Sequence, residues 1–133
     1  MSAKTPATLL GTPGLKLFGT LGSGPIRAMY EMGGVGYIVS GSTLYSINNA
    51  GTETSIGALT VASEYEMVAN IASPQQLFIR AGTAGWIYNG TTLTEITDDD
   101  FPGAKWVTQS DNYFIYGDAT TRGQFGISAQ LDG

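Results

Sequence analysis

Asp98-Asp99-Asp100 is the densest group of side chains in this sequence that could do chemistry. Carboxylate oxygens are the hard donors that Ca²⁺ prefers. Ion-binding loops alternate acids with other residues, so that the oxygens spread around the ion, and a solid triplet lacks that spacing. Followed by Phe101-Pro102-Gly103, it reads better as an exposed loop. Glu64 and Glu66 form a second acidic pair. On a strand, residues two apart share a face. Such a pair could serve glycoside hydrolysis or line a channel between inner strands. A solvated strand face is the simpler account.

Aromatic residues gather in the second half, at Trp86, Tyr88, Trp106, Tyr113, Phe114 and Tyr116. Exposed, they could stack on sugar rings, as in a lectin. Placed in repeated strands, they read as core. Gly22-Ser23-Gly24 and Gly33-Gly34-Val35-Gly36 are only loosely like phosphate-cradling loops. Neither completes G-x-G-x-x-G, and no helix pattern follows to offer its N-terminus, so both read as turns. Asn89-Gly90-Thr91 is formally a glycosylation sequon, but Asn-Gly between two β-rich runs is also a type I′ hairpin signal.

The sequence has no histidine and no cysteine. That removes the usual general base, the thiolate nucleophile, thiolate zinc sites and disulfides. No enzyme activity is expected, and no catalytic, cofactor-binding or metal-ligating residue is assigned. The net charge is −5, and the six basic residues, Lys4, Lys16, Arg27, Arg80, Lys105 and Arg122, lie scattered. Phosphate-backbone binding needs them clustered, so sequence-specific nucleic-acid binding is not expected. No apolar run approaches the roughly 18 residues of a membrane span, and the N-terminus lacks the apolar core of a signal peptide. Charged residues make up 13%, against about 25% in ordinary soluble domains. A low-charge, Thr- and Gly-rich β-protein suits life within an assembly, though an all-β domain rich in turns has the same composition.

What would position these residues is a repeat. Residues 36–41 fall on 76–81 at an ungapped spacing of 40, Ile47 falls on Ile87, and Ser55-Ile56 on Glu95-Ile96. A third copy, 112–117, follows the second by 36. β-Branched and aromatic residues fill the copies, and glycine interrupts nearly every window long enough for a helix. The reading is an all-β, antiparallel chain of about three four-stranded, propeller-like blades in an incomplete ring. Strands are expected at 27–32, 37–40, 43–47 and 53–59, then 64–71, 76–80, 86–88 and 93–97, then 105–109, 113–116 and 124–129. The single domain divides into a lead with an orphan strand (1–25) and repeats at 26–60, 61–100 and 101–133. The orphan strand is expected at 15–21, where a blade's last strand would sit, and the third copy lacks that strand. Exchange of it between chains would cover an edge and make a homo-oligomer, most simply a dimer. Ile38, Val39, Phe78, Ile79, Phe114 and, in part, Ile115 are expected at equivalent interior positions.

Several stretches resemble a known phage family. They are 6–18 with Gly24-Pro25-Ile26-Arg27, Tyr37-Ile38-Val39-Ser40-Gly41 with Leu44-Tyr45, Ile96-Thr97-Asp98 with 100–104, and Gly126-Ile127-Ser128-Ala129. The family is the packaged-DNA stabilisation proteins, tail accessory factors of short-tailed phages. The resemblance runs from about Pro6 to Gly133 and is carried by turn and strand signatures. Members are much longer, so this chain looks like their N-terminal portion. The resemblance implies a propeller without enzyme activity. It also implies a virion component, assembled in the host cytoplasm. Its expected place is a ring beneath the portal, contacting portal or other tail proteins, extending the head–tail channel and helping to retain packaged DNA. The alternative from composition alone is a small propeller-type carbohydrate-binding module assembled from several chains.

Overall fold

The computed structural model describes residues 14–15 and 17–129. The expectations for residues 1–13, for Lys16 and for 130–133 lie outside the described residues.

Runs of β-branched and aromatic residues between glycine-rich turns pair as antiparallel strands. The first sheet holds β1 (Ile26–Met32), β2 (Val35–Ser40), β3 (Thr43–Ile47) and β4 (Glu53–Ala58), neighbours in that order. The second holds β5 (Tyr65–Ala69), β6 (Leu77–Ala81), β7 (Ala84–Tyr88) and β8 (Leu93–Glu95). The third has three strands, β9 (Ala104–Ser110), β10 (Tyr113–Asp118) and β11 (Phe125–Ile127). No helix occurs among the described residues. β1 lies against β5, and β5 against β9, so the first strand of each sheet runs beside the first strand of the next. Sheets stacked this way about their first strands are propeller-like blades.

The core is divided between the two blade interfaces. Tyr37, Val39 and Leu44 of the first blade meet Met67, Leu77, Ile79 and Tyr88 of the second. Phe78 and Ile87 of the second blade meet Ala104, Val107 and Phe114 of the third. Each blade thus has a forward face, toward the higher-numbered blade, and a back face. The middle blade is covered on both, which is why β6 is buried at all five positions. Fully burying each such aliphatic side chain stabilises the fold by about 1.5–3 kcal/mol.

Five of the six expected interior residues are buried, and Ile115 is half-buried. They are not equivalent, however, because the ungapped spacing of 40 is one residue out of step. Gly41 and Gly82 occupy the same turn, each with φ of 63°. Each N–H donates to the residue that precedes its blade's first strand, Gly41 to Pro25 and Gly82 to Glu64. Ala119 donates to Gly103 in the same way. Only glycine adopts that φ without cost, so the pair fixes the alignment at 41. Tyr37 therefore corresponds to Phe78 and Ile115, all on forward faces. Ile38 corresponds to Ile79 and Tyr116, on back faces. A one-residue slip in a strand moves every side chain to the other face.

Other expectations need correction. Residue 15 and residues 17–21 form no strand. Gly19, Gly22 and Gly24 weaken strand formation there, and the segment is anchored by other means. Leu21 packs on Ile38 and Ile47 across the back face of the first blade. The Ser40 hydroxyl donates to the Leu21 carbonyl at 2.7 Å, with the Gly24 carbonyl 3.1 Å away. Asn89-Gly90 is not a two-residue type I′ turn, since β7 and β8 are joined by four residues. Asn89 Oδ1 instead accepts from the N–H groups of Thr91 and Thr92, a side-chain mimic of a turn. Asn48 does the same for Ala50 and Thr52 in the first blade. Two-residue hairpins stand at Gly33-Gly34, Gly41-Ser42, Gly82-Thr83 and Asp111-Asn112, and Asp111 carries a φ of 54°. The strands at 64–71, 93–97 and 124–129 are shorter than expected, at Tyr65–Ala69, Leu93–Glu95 and Phe125–Ile127.

Candidate functional site

The acidic candidates are engaged in holding the fold. Glu66 stands opposite Arg80 in the β5–β6 pair. Its Oε2 accepts from Arg80 Nε at 3.2 Å and from the Val107 N–H at 3.1 Å. One carboxylate oxygen thus joins the first strands of the second and third blades. Arg80 also donates through Nη1 to the Gly82 carbonyl at 2.8 Å, while Glu64 lies 3.7 Å from that nitrogen. In the first blade, the positions of Arg80 and Glu66 are held by Val39 and Ala28. The second blade has put a charge into a forward face, and a buried charge is tolerated only when paired and hydrogen-bonded. Nothing in this arrangement positions two free carboxylates about a substrate.

Asp98 Oδ1 accepts from the Asp100 N–H at 2.8 Å, closing a turn. Asp98 and Asp100 border an open cleft of about 410 Å³ with Ile96, Phe101, Tyr116 and Ser128. No group of three or more potential metal-ligating side chains gathers among the described residues. Burial raises the Tyr116 hydroxyl above its ordinary 10.0, and the carboxylates of Asp118, Asp98 and Asp100 add to the rise. Asp118 is held below its ordinary 3.8, chiefly by the backbone N–H of Thr121, then by the side chain and backbone of Thr120.

Most of the aromatic group proves to be mortar between blades. Phe78 packs on Phe114 and Phe101, with ring centroids 5.5 Å and 6.4 Å apart, and Phe101 packs on Tyr116 at 5.1 Å. Tyr37 meets Tyr88 at 5.6 Å across the first interface. Trp86 packs against that same core, its indole N–H buried without a hydrogen-bond partner. The ring of Tyr116 occupies the space that a Cβ at Gly126 would take. Trp106 is different. It lies over Gly117 and stays 45% exposed.

Among the described residues, two blade faces have no facing blade, which sequence reasoning missed. On the forward face of the third blade, the strand pairings set Trp106, Thr108, Ile115, Phe125 and Ile127 on one side. Phe125 is 69% exposed and Ile127 57%. On the back face of the first blade lie Met29, Ile38, Tyr45 and Ile47, with Met29 69% exposed. Phe18 and Leu21 cover part of that face and leave two apolar hollows, of about 460 Å³ and 150 Å³. The sequence signal that could have found these faces is the corrected alignment, because it shows which apolar residues have no facing blade.

A family model described as Bacteriophage P22 Gp10, beta-propeller, matches residues 3–131. No curated protein and no solved structure matches the chain.

Proposed function

Because the chain belongs to the phage stabilisation family, a family of structural phage β-propeller proteins, we propose that it is a tail accessory protein of a short-tailed phage. In this reading it sits below the portal, extends the head–tail channel and helps to retain packaged DNA. The observation that carries the proposal is the family match across residues 3–131. The site geometry supports it. Among the described residues, buried aromatic contacts and the ion-pair cluster of Arg80 serve blade packing, and the exposed apolar residues of the outer faces suit protein contact. The protein would act by association, without turnover. Its partners would be portal or other tail proteins, and its location the virion. The carbohydrate-binding alternative loses its main support, since Tyr88, Phe114 and Tyr116 are spent on packing between strands and blades.

Particles assembled without this protein test the reading. They are expected to package DNA and then release it, and purified protein added back should bind the portal vertex and restore retention. Particles that hold their DNA equally well without it would remove the proposed role.

A further inference from the structure

We propose that Asn89, in the loop between β7 and β8, deamidates while the chain is folded, and that the geometry of its loop drives the reaction. The inference stands on this hairpin and not on the tail role. Asn89 and Gly90 are both exposed, so water reaches them. The nucleophile is the backbone nitrogen of Gly90, held next to its target by the chain itself. That nitrogen gives up its proton and bonds to Asn89 Cγ. The bond from Cγ to the side-chain nitrogen breaks, and ammonia leaves. Water then opens the cyclic imide at either carbonyl, giving aspartate or its β-linked isomer. Water enters and ammonia departs, with no other reactant.

The loop favours each part of that step. Gly90 has no Cβ to crowd the attack, and the space a Cβ would take is empty to 4 Å. Among the described residues the Gly90 N–H meets no acceptor, so its nitrogen is not tied up. Asn89 Oδ1 accepts from the N–H groups of Thr91 at 3.0 Å and Thr92 at 2.8 Å. The ring closed by the Thr91 bond contains the Gly90 nitrogen, so attacking and attacked atoms are held in one turn. As the nitrogen adds, negative charge develops on Oδ1, where the two donors already point, as in an oxyanion hole. The Tyr88 hydroxyl donates to the Gly90 carbonyl at 2.8 Å and fastens the far side of the loop. The first blade holds an internal control. Asn48 is exposed too, and its Oδ1 accepts from the N–H groups of Ala50 at 3.0 Å and Thr52 at 2.9 Å. Asn49 follows it, however, and a side chain at that position obstructs the attack. Asn70 is 1% exposed, with its Oδ1 taken by the Gln76 N–H at 2.8 Å. Asn89 alone among the asparagines of the sequence precedes glycine. The β-linked product adds a methylene to the main chain and would loosen the turn, whereas aspartate keeps the acceptor and adds a negative charge.

The test is a time course on the native full-length chain, held at neutral to mildly alkaline pH and then digested with trypsin. Cleavage after Arg80 and Lys105 leaves Asn89 as the sole asparagine of peptide 81–105. That peptide should gain the mass of an amide turned to acid, in two separable forms, and faster as pH rises. The peptides carrying Asn48, Asn49, Asn70 and Asn112 should keep their mass, and the circular dichroism should stay that of the folded chain during the first conversion. Asn49→Gly should start the same reaction at Asn48. A native chain whose peptide 81–105 is unchanged while the urea-unfolded chain converts overturns the proposal. So does equal conversion of every asparagine peptide. A folded Asn49→Gly chain whose Asn48 stays intact overturns it as well, since the loop is then not the cause. If Asn49→Gly fails to fold, the native time course still decides.

Discussion

At the scale of the residue, Arg80 shows how one exception to an apolar pattern dictates its neighbours. It occupies the position of Val39 and is kept there by Glu66. Glu66→Ala is expected to destabilise the fold by about 1–3 kcal/mol, because it strands a buried guanidinium and frees the Val107 N–H. The double variant Glu66→Ala with Arg80→Leu should recover most of that loss, since an apolar pair suits the site as well as an ionic one. A urea-unfolding cycle of the four proteins measures both. Titration supplies a second check. Asp118 ionises more readily in the folded state, so its contribution is present above its ordinary value and lost as pH falls through the folded value. Asp118→Asn should flatten the acid side of a thermal-stability profile, starting at about pH 4 and below. Tyr116 behaves in the opposite sense. Its raised value means that stability is intact below about pH 10 and declines as pH rises through the folded value, and Tyr116→Phe should remove that decline.

At the scale of the element, strands were legible and their register was not. The β-branched runs and glycine turns locate all eleven strands to within a few residues. The register failed for a physical reason. First strands open at Ile26, Tyr65 and Ala104, 39 residues apart, whereas the turn glycines Gly41 and Gly82 are 41 apart. The connection between β5 and β6 is longer than the two-residue turn between β1 and β2, so no single spacing fits both landmarks. Alternation could not repair the slip, because β6 is covered on both sides and reads Leu77-Phe78-Ile79 without a polar break. The candidate acids were legible as residues, but their roles depend on contacts such as Glu66 with Val107, 41 positions apart, which no local pattern announces. Two substitutions at equivalent positions test which forward faces are covered. Phe78→Ala should cost about 3–5 kcal/mol, since Phe78 is sealed between two blades. Ile115→Ala, half-buried on the forward face of the third blade, should cost less than about 1 kcal/mol. Equal costs would mean that this face is covered as fully as that of the second blade. Gly126→Ala should also destabilise, by about 1–3 kcal/mol, because the Tyr116 ring must move.

At the scale of the whole molecule, the middle blade alone among the described residues has a blade packed on both faces. Blades that touch only their neighbours behave as coupled units, and those at the ends open first. Amide exchange is therefore expected to be slowest in β5, β6 and β7 and faster in β4 and β11; uniform protection across the three blades would refute the coupled-unit description. The two tryptophans let the same organisation be seen optically. Trp86 is packed into the first blade interface, while Trp106 stands over Gly117 on the open forward face. The chain thus carries two natural light emitters, one reporting its interior and one its outside. A collisional quencher should extinguish Trp106 first and leave a bluer emission from Trp86. Any partner that covers the third blade would shield Trp106 without altering Trp86, so the colour and quenching of the intrinsic fluorescence distinguish contact from unfolding without a label.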